Sequence, residues 1–256
     1  MQSGIPADAE QKVAIITGAS SGIGRETAIA LSANNWRLVL TARSQAGLEE
    51  TSRLCSGPVP CLVSGDITNE QHVVLVFEAA KREYGRLDLL FNNAGINAPA
   101  ILMEELPLSK FQDVMNTNAV AAFLCTREAF KMFKSQNPQG GRIINNGSIA
   151  SHTPRPHSVA YTASKHAVAG LTKSTALDGR AFNIACTQIN IGNARTDMAA
   201  RLEQGALQPN GEIRPEPMMD AKHVADTIVH IAGLPNIVSV LKMDIMATGM
   251  PLVGRG

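Results

Sequence analysis

Between residues 13 and 33 an apolar run breaks on glycines and resumes with helical periodicity. Val13-Ala-Ile-Ile-Thr17 is short and rich in β-branched residues, the pattern of a strand buried on both faces. It ends in Gly18-Ala-Ser-Ser-Gly22-Ile-Gly24, and a helical run, Arg25 to Ala33, follows. Each glycine has a physical use in that setting. Gly18 permits the tight turn, Gly22 lets the backbone approach a pyrophosphate, and Gly24 lets the helix pack close to the strand. The free amides and dipole at the helix start then favour a phosphate. The spacing is G-x-x-x-G-x-G, which asks the same of the backbone as G-x-G-x-x-G. An ordinary strand–helix turn is the competing reading, so the rest of the chain must decide.

The same alternation continues to the end. Apolar strand-like runs recur at Arg37–Thr41, Val59–Ser64, Leu87–Phe91, Arg142–Asn146, Asn183–Ile189 and Val238–Met243. Helical runs stand between them at Gly47–Leu54, Asn69–Tyr84, Ala163–Leu177 and Asp220–Leu234, the last with Asp220 as its N-cap. Pro107 opens a further long helical region, with a break near Asn116-Thr-Asn118 and a largely apolar stretch over Ala119–Phe133. Strands alternating with helices imply an α/β fold: a doubly wound, Rossmann-type parallel sheet of seven strands, with helices on both faces in three layers. The 256 residues suit one such domain, with 1–11 as a frayed tail and 197–219, irregular and centred on Gln208-Pro-Asn-Gly211, as a lid over the substrate.

Charge and composition exclude several functions. The 23 basic and 22 acidic side chains leave a net charge of +1, which gives no pull toward nucleic acid or an anionic membrane. No apolar stretch approaches the roughly 18 residues of a membrane span. Cys55, Cys61, Cys125 and Cys186 lack CxxC spacing, as expected of free thiols in a reducing cytoplasm. The six histidines form no metal-ligand pair, so no metal is expected.

In a doubly wound sheet ligands bind at the carboxyl ends of the strands. After the second strand comes Ala42-Arg43-Ser44. An acid there would hold the ribose 2′-hydroxyl of NAD(H); Ala42 stands in its place, and Arg43 suits the 2′-phosphate of NADP(H). Asp66, closing the third strand, suits either a hydrogen bond from an adenine amino group or the cap of the next helix. Asn92-Asn-Ala-Gly95 ends the fourth strand with small and amide residues. Asn118 lies inside an apolar run and needs a structural partner or a water for its amide. Ser148 ends the fifth strand, 13 residues before Tyr161. Tyr161 and Lys165 are four apart, one turn on a helix face. A tyrosine hydroxyl with a pKa of about 10 exchanges protons poorly at neutral pH, and an adjacent ammonium favours its ionised form. The pair therefore suits a general acid/base, although a solvated surface pair has the same spacing.

Together, Thr17-Gly18-x-x-x-Gly22-Ile23-Gly24, Asp66, Asn92-Asn93-Ala94-Gly95, Asn118, Ser148 and Tyr161-x-x-x-Lys165 resemble the short-chain dehydrogenase/reductase family, in its compact single-domain branch. The resemblance spans residues about 12 to 245. It implies a hydride transfer between NADP(H) and a carbonyl or secondary alcohol, with Tyr161 as general acid/base and Ser148 holding the substrate oxygen. Lys165 would make the Tyr161 hydroxyl more acidic and bind the nicotinamide ribose, and Asn118 would position a water in a proton relay. Gly18, Ser20, Ser21, Gly22, Ile23 and Gly24 would hold the pyrophosphate and adenosine end, and Arg43 would select NADP(H) over NAD(H). Asp66 and Ile67 would meet adenine, Asn92, Ala94 and Gly95 would line the cleft, and Thr196 would reach the carboxamide. A homotetramer or dimer is implied, through helices including Ala119–Phe133 and Ala163–Leu177. One departure is Ile191-Gly192-Asn193, where the family usually has Pro-Gly. The pocket is expected between His152–His157, the region after Gly95, and a lid with Met198, Met218 and Met219. Arg155 or His157 would serve an anionic substrate there, unless both are solvated loop charges. The alternative to an enzyme is a non-catalytic NADP(H)-binding sensor or scaffold.

Overall fold

The structure, a computed structural model, describes residues 11–200 and 205–252, so the expected tail lies outside the described residues except for Gln11. Seven strands form one sheet: β1 (Val13–Thr17), β2 (Arg37–Ala42), β3 (Cys61–Ser64), β4 (Leu89–Asn92), β5 (Gly141–Asn146), β6 (Ile184–Ile191) and β7 (Lys242–Ile245). Their order is β7-β6-β5-β4-β1-β2-β3 and every pairing is parallel. The order reverses at β1, which pairs with β2 on one side and β4 on the other. Between those two neighbours the connections leave in opposite directions, and their ends part to leave a crevice.

Helices α1 (Gly22–Ala33), α2 (Gln45–Leu54), α3 (Glu70–Tyr84), α4 (Leu108–Met115), α5 (Ala121–Ser135), α6 (Val159–Asp178) and α7 (Ala221–Gly233) cover the sheet. One apolar layer joins Val73, Val76 and Phe77 of α3 to Leu124 and Phe133 of α5, over Ile15, Leu90 and Ile143. The other joins Leu31 of α1 to Val224, Ile228 and Ile231 of α7, over Ile16, Phe91 and Ile189. Side chains of this size each contribute about 1.5–3 kcal/mol on burial, which makes these two layers the main source of stability.

Local signals explain where elements begin. The Asn69 side chain accepts from Gln71 N at 2.8 Å and His72 N at 3.3 Å, and Gly85, at φ 72°, ends α3 in the left-handed region. Asp220 caps α7 as expected, accepting from Lys222 N. The expected break at Asn116–Asn118 is a π turn over Asn116–Val120. The last strand is displaced from its expected place. Val238 lies in a turn, donating to Pro235 O, and β7 begins only at Lys242. Arg142 on β5 dictates this: its side chain donates to the carbonyls of Leu234, Pro235 and Val238 at 2.9–3.3 Å, which holds that segment off the sheet.

Candidate active site

Three strand ends are laced together by hydrogen bonds. Thr17 Oγ accepts from Asn93 N at 2.9 Å and Ala94 N at 3.0 Å, while Asn93 Nδ2 donates to Thr17 O at 3.0 Å. Asn146 Nδ2 donates to Asn93 Oδ1 at 2.8 Å, and the Asn146 carbonyl accepts from Lys165 Nζ at 2.7 Å. The ends of β1, β4 and β5 and the start of α6 thus hold one another in register.

At the β1 end the glycine loop forms a cradle. Gly18 has φ 65° and Gly22 φ 51°, the left-handed region. A Cβ on Gly18 would stand 2.9 Å from Ala94 Cα, and one on Gly24 would stand 2.3 Å from the Gly18 carbonyl oxygen. The loop therefore admits only glycine at these points. Arg25 braces it from below, donating to Ser20 O at 2.6 Å and pairing with Glu50. From the cradle a cleft of about 840 Å³ runs past Ser20, Ser21, Gly22, Ile23, Ala42, Arg43, Asp66, Ile67, Ala94 and Gly95 to Thr196. Asp66 does not cap α3, a role taken by Asn69. Instead its Oδ1 accepts from Thr68 N and Thr68 Oγ at 2.9 and 2.8 Å. The Thr68 amide, chiefly, holds the Asp66 carboxyl below its ordinary range.

A second cavity of about 350 Å³ adjoins the first, with Ile23, Asn93, Gly95, Asn146 and Thr196 on the walls of both. Ser148, Tyr161 and Lys165 line it together. Ser148 is buried, and its Oγ accepts from Ala150 N at 3.1 Å. Tyr161 lies inside α6, two residues after its start, and the Lys165 ammonium stands 5.4 Å from its ring centroid.

Asn118 lies behind this wall. Its Oδ1 accepts from Ile96 N at 2.8 Å, and its Nδ2 donates to Ile96 O and Ser164 Oγ, both at 3.0 Å. Ser164 in turn donates to Tyr161 O at 2.7 Å. The amide thus has structural partners. Asn92, expected on the cleft, points instead into the core, donating to Asn145 Oδ1 at 2.9 Å and Thr126 Oγ at 3.2 Å. The side chain that reaches the cleft is that of Asn93, because successive residues of a strand face opposite ways. Gly24 also stays off the cleft wall, packing against the Gly18 carbonyl.

The outer wall joins Arg155 to residues that sequence reasoning left out of the site, Glu216 above all. Arg155 is neither a solvated charge nor unpaired. Its Nη2 donates to Asn193 Oδ1 at 2.8 Å and to Glu216 Oε2. Glu216, buried, also accepts from Asn193 Nδ2 at 2.8 Å and Gln208 Nε2 at 3.0 Å. Burial pushes its carboxyl up, but the donors Gln208, Asn193 and Arg155 outweigh that and hold it below its ordinary range. The segment after residue 196 includes a two-residue antiparallel pairing of Ala206–Leu207 with Ile213–Arg214. Met198 reaches both cavities, whereas Met219 pairs by its backbone with Ala194. Met250 closes the floor, and a Cβ on Gly192 would meet its Sδ at 2.7 Å. Among the described residues there is no cluster of side chains able to hold a metal ion, and no helix is long and apolar enough to cross a membrane.

The short chain dehydrogenase family model matches residues 12–206. The chain belongs to the short-chain dehydrogenase/reductase family. Among curated relatives it is 34% identical over 199 residues to the 3beta-hydroxysteroid dehydrogenase of Mediterraneibacter gnavus, spanning 75% of this chain and 69% of that one. It is 30% identical over 237 residues to the human dehydrogenase/reductase SDR family member 11, spanning 88% and 89%. Among solved structures, a Brucella melitensis 3-ketoacyl-(acyl-carrier-protein) reductase complexed with NADH superposes with a TM-score of 0.80 at 25% identity, over 93% of this chain and 97% of that one. An actinorhodin polyketide ketoreductase variant with NADPH gives 0.81 at 26% identity, over 92% and 95%. This is an oxidoreductase family, and the seven-stranded parallel sheet is the Rossmann-type fold expected of it.

Proposed function

We propose that this protein is an NADP(H)-preferring reductase or dehydrogenase that interconverts a carbonyl compound and its secondary alcohol. The observation that carries the reading is the meeting of Ser148, Tyr161 and Lys165 on one cavity wall, beside a glycine cradle that a single Cβ would fill. A cradle of left-handed glycines at a helix N-terminus fits a dinucleotide pyrophosphate, and related proteins are seen with NADH and NADPH. Gly18, Ser20, Ser21, Gly22 and Ile23 would hold that part, with Gly24 packed behind them, Asp66 and Ile67 at the adenine and Ala94, Gly95 and Thr196 further along. Arg43, exposed on the same cleft, would take the 2′-phosphate. When bound, a reduced nicotinamide supplies the hydride.

The protein's own groups do the rest. Ser148 Oγ donates a hydrogen bond to the substrate oxygen and holds it toward Tyr161. As charge develops on that oxygen, the Tyr161 hydroxyl delivers its proton, and the two hydroxyls act as an oxyanion hole. Lys165, fixed by the Asn146 carbonyl, favours the phenolate left behind. The Asn118 side chain is committed to Ile96 and Ser164, and on this reading the residue also positions the water of a proton relay. In the oxidation direction the same proton moves back.

The sensor or scaffold alternative has no observation in its favour, and the relatives are named as dehydrogenases and reductases. We place the enzyme in the cytoplasm and read it as a homo-oligomer, with Val120, Phe123 and Leu177 exposed on the helical faces that would meet. The function is tested by incubating the protein with NADPH and a panel of ketones, aldehydes and quinones. Loss of reduced-nicotinamide absorbance on at least one class is expected; no turnover with any, in either direction, would overturn it.

A further inference from the structure

The Arg155 guanidinium lies on the same wall as Ser148 and Tyr161. It is 27% exposed, and its Nε is buried with no partner among the described residues. A guanidinium so placed is a ready partner for a substrate carboxylate. Here its charge is already engaged. Glu216, whose side chain is 1% exposed, reaches it from the far end of the lid. Asn193 and Gln208 donate to the same carboxylate and fix it in place. The other ionisable groups on the wall are Tyr161, His157 and Lys165, and Lys165 is tied to Asn146. The remaining wall carries no further charge: it joins apolar residues such as Ala98, Ile149 and Met250 to neutral polar ones such as Thr153 and Ser158. An anion brought to Arg155 would therefore stand beside a buried carboxylate, in a medium where like charges repel strongly.

On the reading that the chain acts on a carbonyl compound in this cavity, we propose that Glu216 sets its charge specificity. By holding the Arg155 guanidinium it denies that cation to the substrate and restricts the cavity to uncharged compounds. Asn193, just after β6, is the positioning residue that joins the two.

The test uses the full chain with NADPH and a matched pair, an oxo acid with an apolar tail and its methyl ester. Wild type should prefer the ester by roughly 100-fold in kcat/KM, about the discrimination that an unpaired or repelled charge gives. Glu216→Gln keeps the shape and removes the charge. It should raise kcat/KM for the acid by about tenfold or more, through KM, while the ester changes only a few-fold. Adding Arg155→Met should abolish the gain. A parallel fall for acid and ester would mean that Glu216 is only structural, and equal use of both by wild type would equally overturn the proposal. Melting gives a readout free of turnover: excess oxo acid should raise the Tm of Glu216→Gln and not that of wild type, and equal shifts would sink the idea. Wild type idle on every carbonyl compound would remove the reductase reading, and the melting comparison would still decide on Glu216. Should the Gln variant not fold, Glu216→Asp keeps the charge and must keep the ester preference; its loss would contradict the proposal.

Discussion

Lys165 Nζ donates to the main-chain carbonyl of Asn146 at 2.7 Å, so the cation beside Tyr161 is fixed by the end of β5 and not by a mobile carboxylate. A neutral acceptor, unlike a carboxylate, brings no opposing charge to this buried site. Lys165→Met should lower kcat by about 100-fold or more. In the oxidation direction, where the phenolate is the base, the residual rate should climb toward alkaline pH, because an unaided tyrosine ionises only near about 10. A pH–rate profile with the wild-type shape in the variant would contradict this.

Arg43 is exposed on the cleft, and Ala42 beside it offers no carboxylate for a ribose hydroxyl. Arg43→Ala should weaken NADPH about tenfold or more, the equivalent of one charge-assisted hydrogen bond, and leave NADH nearly unchanged. Titration calorimetry with both dinucleotides checks it; equal losses would remove the case for NADP(H).

Asn118 satisfies both main-chain groups of Ile96 and the Ser164 hydroxyl from within a π turn. Asn118→Leu would leave those groups without partners, at about 2–4 kcal/mol. Denaturant unfolding should show a lower midpoint at an unchanged slope, and an unshifted midpoint would mean that water replaces the amide without cost.

Much of this arrangement was legible in the chain because the strand pattern and the chemistry coincide at the carboxyl ends. Gly18, Ser148 and Tyr161 stand where alternation of strand and helix says ligands should lie. What escaped the sequence was set by side-chain direction and by contacts distant along the chain. Whether Asn92 or Asn93 faces the cleft depends on strand register, which adjacent identical residues cannot reveal. The placement of β7 turned on Arg142, 92 to 96 residues from the carbonyls it binds. Glu216 gave no signal at all: it is one acid in an irregular stretch, and only folding brings it to Arg155.

The Glu216 carboxyl is held below its ordinary value of 4.5 in the fold. A folded-state value below the unfolded one adds stability above the unfolded value, and that stability is lost as pH falls through the folded one. The stability difference between wild type and Glu216→Gln should therefore be constant from about pH 6 to 8 and shrink in acid below about pH 4.5. Urea midpoints of the two proteins across that range check it, and a gap that widened in acid would reverse the sign of the account.

The most direct measurement pairs turnover with cofactor affinity in Tyr161→Phe. The change removes one oxygen from the wall shared with Ser148 and leaves the glycine cradle untouched. We predict that kcat falls by about 100- to 10,000-fold while the Kd for NADPH stays within a few-fold of wild type. A variant that turned over at the wild-type rate, with NADPH bound as before, would show that the proton comes from elsewhere and contradict the mechanism.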